Sequence, residues 1–286
     1  MTLAEALHAA QHRLDEAGIE NAALEAEVLL RHALGLQRHQ LFARIHDDID
    51  EPSLLAFHRL VERRLAHEPT AYIVGHKEFY GIDLETTPDA LIPRPETELL
   101  VEEALRLALD GPFTIADVGT GCGAIAVALA THLPQAVIYA IDDSERALTL
   151  AARNVERLGL TERLPAGRHG VLLLHGDLLD PLPEPVDLIV ANLPYVKTAD
   201  WEALPPEIRE HEPRAALDAG PKGTEALERL LRAAPSHLKS AGSLLAEIGW
   251  DEGERLLEVA RERFPGANVA VKKDLAGLDR LLIVAA

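Results

Sequence analysis

Apolar residues in the first seventy positions recur every three or four places. Leu3, Leu7 and Leu14 form one stripe, and Leu24, Val28 and Ala33, with Leu29 and Leu30 beside them, form another. Between Ser53 and Ala66 a third stripe holds Leu54, Phe57, Leu60, Val61 and Leu65. This period predicts helices packed around a shared core, the third capped by Ser53 after Pro52. From Tyr72 to Pro93 the pattern shortens into β-like runs broken by Gly75, Gly81 and two prolines, which predicts a hairpin or an extended linker. Arg94-Pro95-Glu96-Thr97-Glu98 then opens a helix bearing Leu99, Leu100, Val101, Ala104 and Leu105; proline and early acids suit a helix N-terminus. Beyond it, the runs FTIADV (113–118), AVIYAI (136–141), GVLLLH (170–175), VDLIVA (186–191) and SLLAEI (243–248) alternate with amphipathic stretches such as 144–158 and 224–238. Continuous apolar strands separated by helices predict an α/β fold, a parallel sheet covered on both faces. The tail adds two more strands joined by a Gly-containing turn. The expected division is a helical domain over 1–72, a hairpin linker over 73–94 and a sheet domain over 95–286.

Composition narrows the function classes. The 286 residues are 48% hydrophobic and 26% charged, a globular balance. Cys122 is the single cysteine, so no intramolecular disulfide forms and a reducing compartment fits. Glu5 interrupts the N-terminal stretch early, and no run approaches the ~18 apolar residues of a membrane helix. The expectation is a soluble cytoplasmic protein with no membrane partner. A formal charge of −19 repels phosphate backbones, which weighs against direct nucleic-acid binding and favours a protein or small-molecule substrate.

The candidate chemistry sits at the strand ends. Asp117-Val118-Gly119-Thr120-Gly121-Cys122-Gly123 closes the first strand and opens a helix, with glycines at alternate positions where a ligand approaches the backbone. The spacing differs from the dinucleotide fingerprint Gly-x-Gly-x-x-Gly. Asp142 ends the second strand, where a carboxylate either accepts both hydroxyls of a ribose or caps the next helix. Gly176-Asp177 follows the third strand, and Asp177 either accepts from an adenine amino group or forms a turn. Asn192-Leu193-Pro194-Tyr195 ends the fourth. It offers a side-chain carbonyl, a main-chain carbonyl, a stiff turn and an aromatic face, a set suited to holding a planar –NH2 group by both hydrogens. The 13 histidines show no metal-ligand spacing, so no metal is expected.

These motifs, taken in order, resemble the PrmC/HemK family, the peptide chain release factor N5-glutamine methyltransferases. Gly75-x-x-x-Phe79-x-Gly81 followed by LIPRPETE (91–98) is similar to the family's linker signature. DVGTGCGAIAVALA, AIDDSERAL, GDLLDPL, DLIVANLPYV, Glu212-Pro213 and LLAEIG all fall in family order. The family usually has Asn-Pro-Pro-Tyr, and Leu193 stands at the first proline. Because the family's contact there is a main-chain carbonyl, Leu193→Pro is expected to be nearly neutral.

The resemblance implies a seven-stranded class I methyltransferase (Rossmann-like) sheet, preceded by a small all-helical N-terminal domain that recognises substrate and by a β-hairpin linker. It implies S-adenosyl-L-methionine over Gly119, Thr120, Gly121, Cys122 and Gly123, leaving as S-adenosyl-L-homocysteine. Asp142 would hold the ribose, Asp177 and Leu178 would border the adenine, and Asn192 would also touch the cofactor. Asn192, Leu193, Pro194 and Tyr195 would hold the glutamine of a release factor's Gly-Gly-Gln tip, with Asn192 and Tyr195 as the catalytic pair. Rival readings are a ribosomal-protein glutamine methyltransferase, a methyltransferase for exocyclic amines of nucleic acid, and a non-catalytic cofactor-binding module.

Overall fold

Thr2 and Glu5 close the first helix by a reciprocal cap: the Thr2 hydroxyl accepts from the Glu5 N–H, and the Glu5 carboxylate accepts from the Thr2 N–H. This helix, α1 (Leu3–Glu16), buries Leu3, Ala6, Ala10 and Leu14. It packs with α2 (Ala22–Leu34), α3 (Arg38–Ala43), α4 (Glu51–Leu65) and α5 (Thr70–Val74) around one apolar cluster centred on Leu29, Leu30, Phe57 and Val61. Two expectations change here. In α2 the buried face is Ala22, Ala26, Leu29 and Leu30, while Leu24 is 53% exposed; the small alanines let the helices approach, and the leucine stripe alone misplaces the face. In α4 the cap is Asp50, whose carboxylate accepts from the Ser53 N–H at 2.9 Å, so Ser53 lies inside the first turn.

The structure is a computed structural model that describes residues 1–108, 113–161 and 169–285. It divides into two units, Met1–His76 with Pro205–His211, and Lys77–Leu204 with Glu212–Ala286. The helical unit therefore includes a piece of chain from far downstream. Arg64, buried on α4, holds that piece through Glu207 at 2.6 Å while also pairing with Glu25 at 3.0 Å.

In the second unit, β1 (His76–Phe79) and β2 (Ile82–Glu85) form a two-stranded hairpin. Its two-residue turn, Tyr80-Gly81, has φ of +51° and +73°, the paired left-handed conformation that matches strand twist. Phe79 and Leu84 are buried in the same cluster as the sheet's own residues, so the hairpin is built into the core of this unit. A short 3₁₀ turn (Pro95–Thr97) leads into α6 (Glu98–Leu107). The chain continues through β3 (Thr114–Val118), α7 (Ala124–His132), β4 (Val137–Asp142), α8 (Glu145–Arg157), β5 (Gly170–His175), β6 (Val186–Ala191), β7 (Val196–Lys197), α9 (Pro206–His211), β8 (Asp218–Gly220), α10 (Glu225–Ala233), β9 (Leu238–Glu247), α11 (Gly253–Arg263), β10 (Asn268–Lys273) and β11 (Asp279–Ala285).

Seven strands join in the order β10-β11-β9-β6-β3-β4-β5. The central pairings are parallel, and β11 inserts antiparallel between β9 and β10. Residues alternate between two clusters: Ile115, Ile138, Leu188 and Val190 face one, and Ala116, Tyr139, Ile189 and Ala191 the other. Each face is covered, by α6, α7 and α8 on one side and α10 and α11 on the other. Helix α7 is apolar all round and correspondingly buried from Ala124 to Ala130. The fold is the expected α/β class I methyltransferase architecture. The β7–β8 ribbon escaped sequence reading because two- and three-residue strands carry no period. Helix α10 also stops earlier than expected, because Pro235 cannot continue an α-helix and turns the chain into β9.

Candidate active site

Parallel strands present their carboxyl ends on one edge, so β3, β4, β5 and β6 deliver their terminal residues to a common cavity. Gly119, Thr120, Gly121, Cys122, Asp142, Asp177, Leu178, Asn192, Leu193 and Pro194 all line it. Gly123 and Tyr195 do not. A Cβ on Gly123, whose φ is +84°, would lie 3.3 Å from Ala151 Cβ, so this glycine permits close approach of the loop to α8. Tyr195 instead directs its hydroxyl to Glu247 at 3.4 Å.

The glycine loop is held from beneath. Its N–H groups at Gly119 and Thr120 both donate to the Ile141 carbonyl, the Gly123 N–H donates to Thr120, and the Gly121 N–H donates to Asp142 at 2.8 Å. These four amides are spent inside the protein, so they are not the donors a pyrophosphate would need. Asp117, fully buried, accepts from the Thr120 hydroxyl at 2.6 Å and from the Ala126 N–H at 3.1 Å, and its other oxygen has no partner among the described residues. Burial pushes the Asp117 carboxyl up to about 7. Asn154 ties the loop to the hairpin, donating to the Cys122 carbonyl at 3.0 Å and to the Glu85 carbonyl at 3.1 Å. The Cys122 side chain is buried in the core, where burial pushes its thiol up to about 12.

Asp142 is aimed by two main-chain donors, Gly121 at 2.8 Å and Ser144 at 2.9 Å. Burial raises its pKa, and those N–H bonds oppose the rise. Its remaining lone pairs suit a diol. Leu178 lies in the left-handed region, with φ +49°, at the cavity wall. Asp177 is paired with Arg229, which also lines the cavity. Carboxylates on a partly apolar wall with Ile125, Ile141, Ala147 and Leu178 fit a cationic nucleoside such as S-adenosylmethionine.

Around the Asn192 end of the cavity stand Thr97, Glu212 and Glu247, which lie in the segments LIPRPETE, Glu212-Pro213 and LLAEIG but to which the sequence alone assigned no role in the site. Asn192 Nδ2 donates to the Thr97 hydroxyl at 3.1 Å, and Thr97 donates to Glu247 at 2.7 Å. Thr97 and Glu247 are 4% and 1% exposed, so this chain of bonds is shielded from water. Burial raises the pKa of Glu247, against the pull of Thr97, Arg280 and Tyr195. Glu212, also buried, accepts from the Ile92 N–H at 3.2 Å and pairs with Arg94, fixing the cavity wall made by residues 89–94. The lone acid inside the apolar stretch LLAEI (244–248) was the available signal for Glu247. Leu193 is 6% exposed and packs with the core on the Gly119 side of the loop, so the side chain as well as the carbonyl matters there.

Among the described residues no group of His, Cys, Asp or Glu has the arrangement to hold a metal ion, and no helix is long and apolar enough to cross a membrane.

Comparison with known proteins agrees with this architecture. Residues 5–75 match the family described as PrmC N-terminal domain, and residues 95–205 match the methyltransferase small domain. The release factor glutamine methyltransferase of Moorella thermoacetica is 44% identical over 99% of this chain and 98% of its own length. That of Geobacter sulfurreducens is 44% identical over 94% and 91%. A solved methyltransferase from Pyrococcus furiosus shares the fold, with a TM-score of 0.50 at 21% identity over 73% of this chain and 90% of that one. Since relatives so similar align from the helical unit through the last strands, the chain belongs to the family of release factor glutamine methyltransferases.

Proposed function

We propose that this enzyme transfers a methyl group from S-adenosylmethionine to the N5 side-chain amide of the glutamine in the Gly-Gly-Gln motif of peptide chain release factors. One observation carries the reading: Asn192 donates from its NH2 group to Thr97, an orientation that turns its carbonyl oxygen away from Thr97 and leaves it for the acceptor. Among the described residues that oxygen has no hydrogen-bond partner. The names of the curated relatives support the same acceptor.

Gly119, Thr120, Gly121, Cys122, Asp142, Asp177 and Leu178 would hold the cofactor. When bound, it supplies an electrophilic methyl group on a sulfonium. The protein's own task is positioning, because an amide nitrogen is a poor nucleophile whose lone pair is delocalised. Asn192 Oδ1 and the Leu193 carbonyl accept the two amide hydrogens, turn the nitrogen toward the methyl donor and stabilise positive charge developing on it. Both bonds strengthen in the transition state. The methylated nitrogen is acidic and gives up its proton to solvent without a dedicated strong base. Tyr195, which does not line the cavity, would act from behind Asn192 through its hydrogen bond to Glu247. The helical unit is proposed to recognise the release factor outside the Gly-Gly-Gln tip.

The test is mass spectrometry of a release factor incubated with enzyme and labelled S-adenosylmethionine. One methyl on the Gly-Gly-Gln glutamine is expected. Asn192→Ala should lose on the order of 10²–10³ in kcat, as for a lost contact to developing charge. A wild-type rate from Asn192→Ala, or methyl on RNA or a ribosomal protein instead, would overturn the reading.

A further inference from the structure

Two buried residues outside the Asn192–Tyr195 motif are joined to it by hydrogen bonds. Thr97 ends the 3₁₀ turn before α6, and Glu247 ends β9. A threonine hydroxyl owns one hydrogen. At 2.7 Å from a Glu247 oxygen, Thr97 gives that hydrogen to the carboxylate, and the other Glu247 oxygen accepts from Tyr195 at 3.4 Å. Having donated, Thr97 has only lone pairs to offer Asn192, so Asn192 must present its NH2 edge at 3.1 Å and turn its carbonyl the other way. We infer that Glu247 is a positioning residue for methyl transfer, acting through Thr97 to fix the amide of Asn192 with its carbonyl toward the acceptor.

The reason is one of polarity. With Glu247 accepting, the bonds run Asn192 to Thr97 to Glu247. If Thr97 were free to donate to Asn192 instead, the amide would flip and meet the substrate –NH2 with its own –NH2. Two donors facing each other bind nothing and repel. Neither Thr97 nor Glu247 needs to touch substrate or cofactor for this. The inference rests on the acceptor reading proposed above and assigns its orientation to residues that reading does not include.

The experiment uses the full chain with S-adenosylmethionine and a release factor. Thr97→Val keeps the shape and removes the hydroxyl; Glu247→Gln keeps the shape and allows Thr97 to accept. Each should lower single-turnover rate by on the order of ten- to a hundredfold while leaving the cofactor Kd within about twofold. Thr97→Ser, which retains the hydroxyl, should recover most of the rate. In an Asn192→Ala background, Thr97→Val should cost nothing further, whereas a residue that merely supports the fold would lower the rate again. A full wild-type rate for Thr97→Val, or a loss that multiplies with Asn192→Ala, overturns the inference. A second readout needs no substrate: the side-chain amide resonance of Asn192, identified by its absence in Asn192→Ala, should shift in both Thr97→Val and Glu247→Gln. An unmoved resonance defeats the orientation claim even if the enzyme methylates release factor. A shifted one with no methyl on the glutamine defeats the acceptor reading alone.

Discussion

Gly119→Ala would press the cofactor loop and the acceptor motif against each other, because the two meet at that residue. Gly119 has φ +74°, and an added Cβ would lie 2.8 Å from Leu193 Cδ2 and 3.5 Å from the main-chain carbonyl oxygen of Asn192. Two costs follow. Holding an L-residue in the left-handed region costs about 1–2 kcal/mol. Relieving a carbon–carbon approach roughly 1 Å inside the usual contact distance requires Leu193 to move. Its methyl is the end of a side chain, but the residue is 6% exposed and packed in the core. Overpacking of that kind costs about 1–3 kcal/mol. The expected loss is therefore about 2–5 kcal/mol of unfolding free energy. A two-by-two set of urea titrations separates the terms. Leu193→Ala alone should cost about 2–5 kcal/mol as a buried truncation. With it in place, Gly119→Ala should cost only the backbone share of about 1–2 kcal/mol, so the pair couples by about 1–3 kcal/mol. Additive losses, agreeing within about 0.5 kcal/mol, would refute the contact argument.

Asp142→Ala should weaken S-adenosylmethionine binding in calorimetry by about 1.5–3 kcal/mol, and unchanged affinity would remove Asp142 from the site. Asp117 binds its proton more tightly in the folded chain, up to about 7 against an ordinary value of 3.8, so its contribution to stability is complete below pH ~4 and is lost as pH rises through about 7. Asp117→Asn should accordingly flatten the fall in urea midpoint between pH 5 and pH 8, roughly the span of that titration; Glu252, also raised by burial to about 7, keeps some slope. Leu193→Pro should keep methyl transfer within a few-fold yet lower stability by about 1 kcal/mol, because the buried leucine packs against the glycine loop. Arg64→Ala should destabilise the chain by about 1–3 kcal/mol in the same titration, less than for a fully enclosed pair because Glu25 and Glu207 are partly exposed.

Much of this was legible in the residues because strand-end chemistry is local. The continuous apolar runs announced the sheet, and the loop at Gly119–Gly123, Asp142 and Asn192 were readable as a series because successive parallel strands must end together. What escaped were pairings between distant segments. Thr97 and Glu247 are separated by 150 positions, as are Ile92 and Glu212 by 120. No period or spacing encodes such bonds. Cap and face errors had a different origin: Asp50 and Ser53 are both good caps, and Leu24 and Ala26 compete for one helix face, so packing decides.

The helical unit contains residues 205–211 as well as its first 76. Cutting the chain at residue 75 would thus leave Glu207 without Arg64, and His211 without the Ala66 carbonyl that it meets at 3.2 Å. What looks in one dimension like a detachable prefix is a two-part graft. A chimera that borrows its recognition helices from another family member should carry the matching downstream heptapeptide with them. Natural variation at position 64 would be expected to travel with variation at position 207.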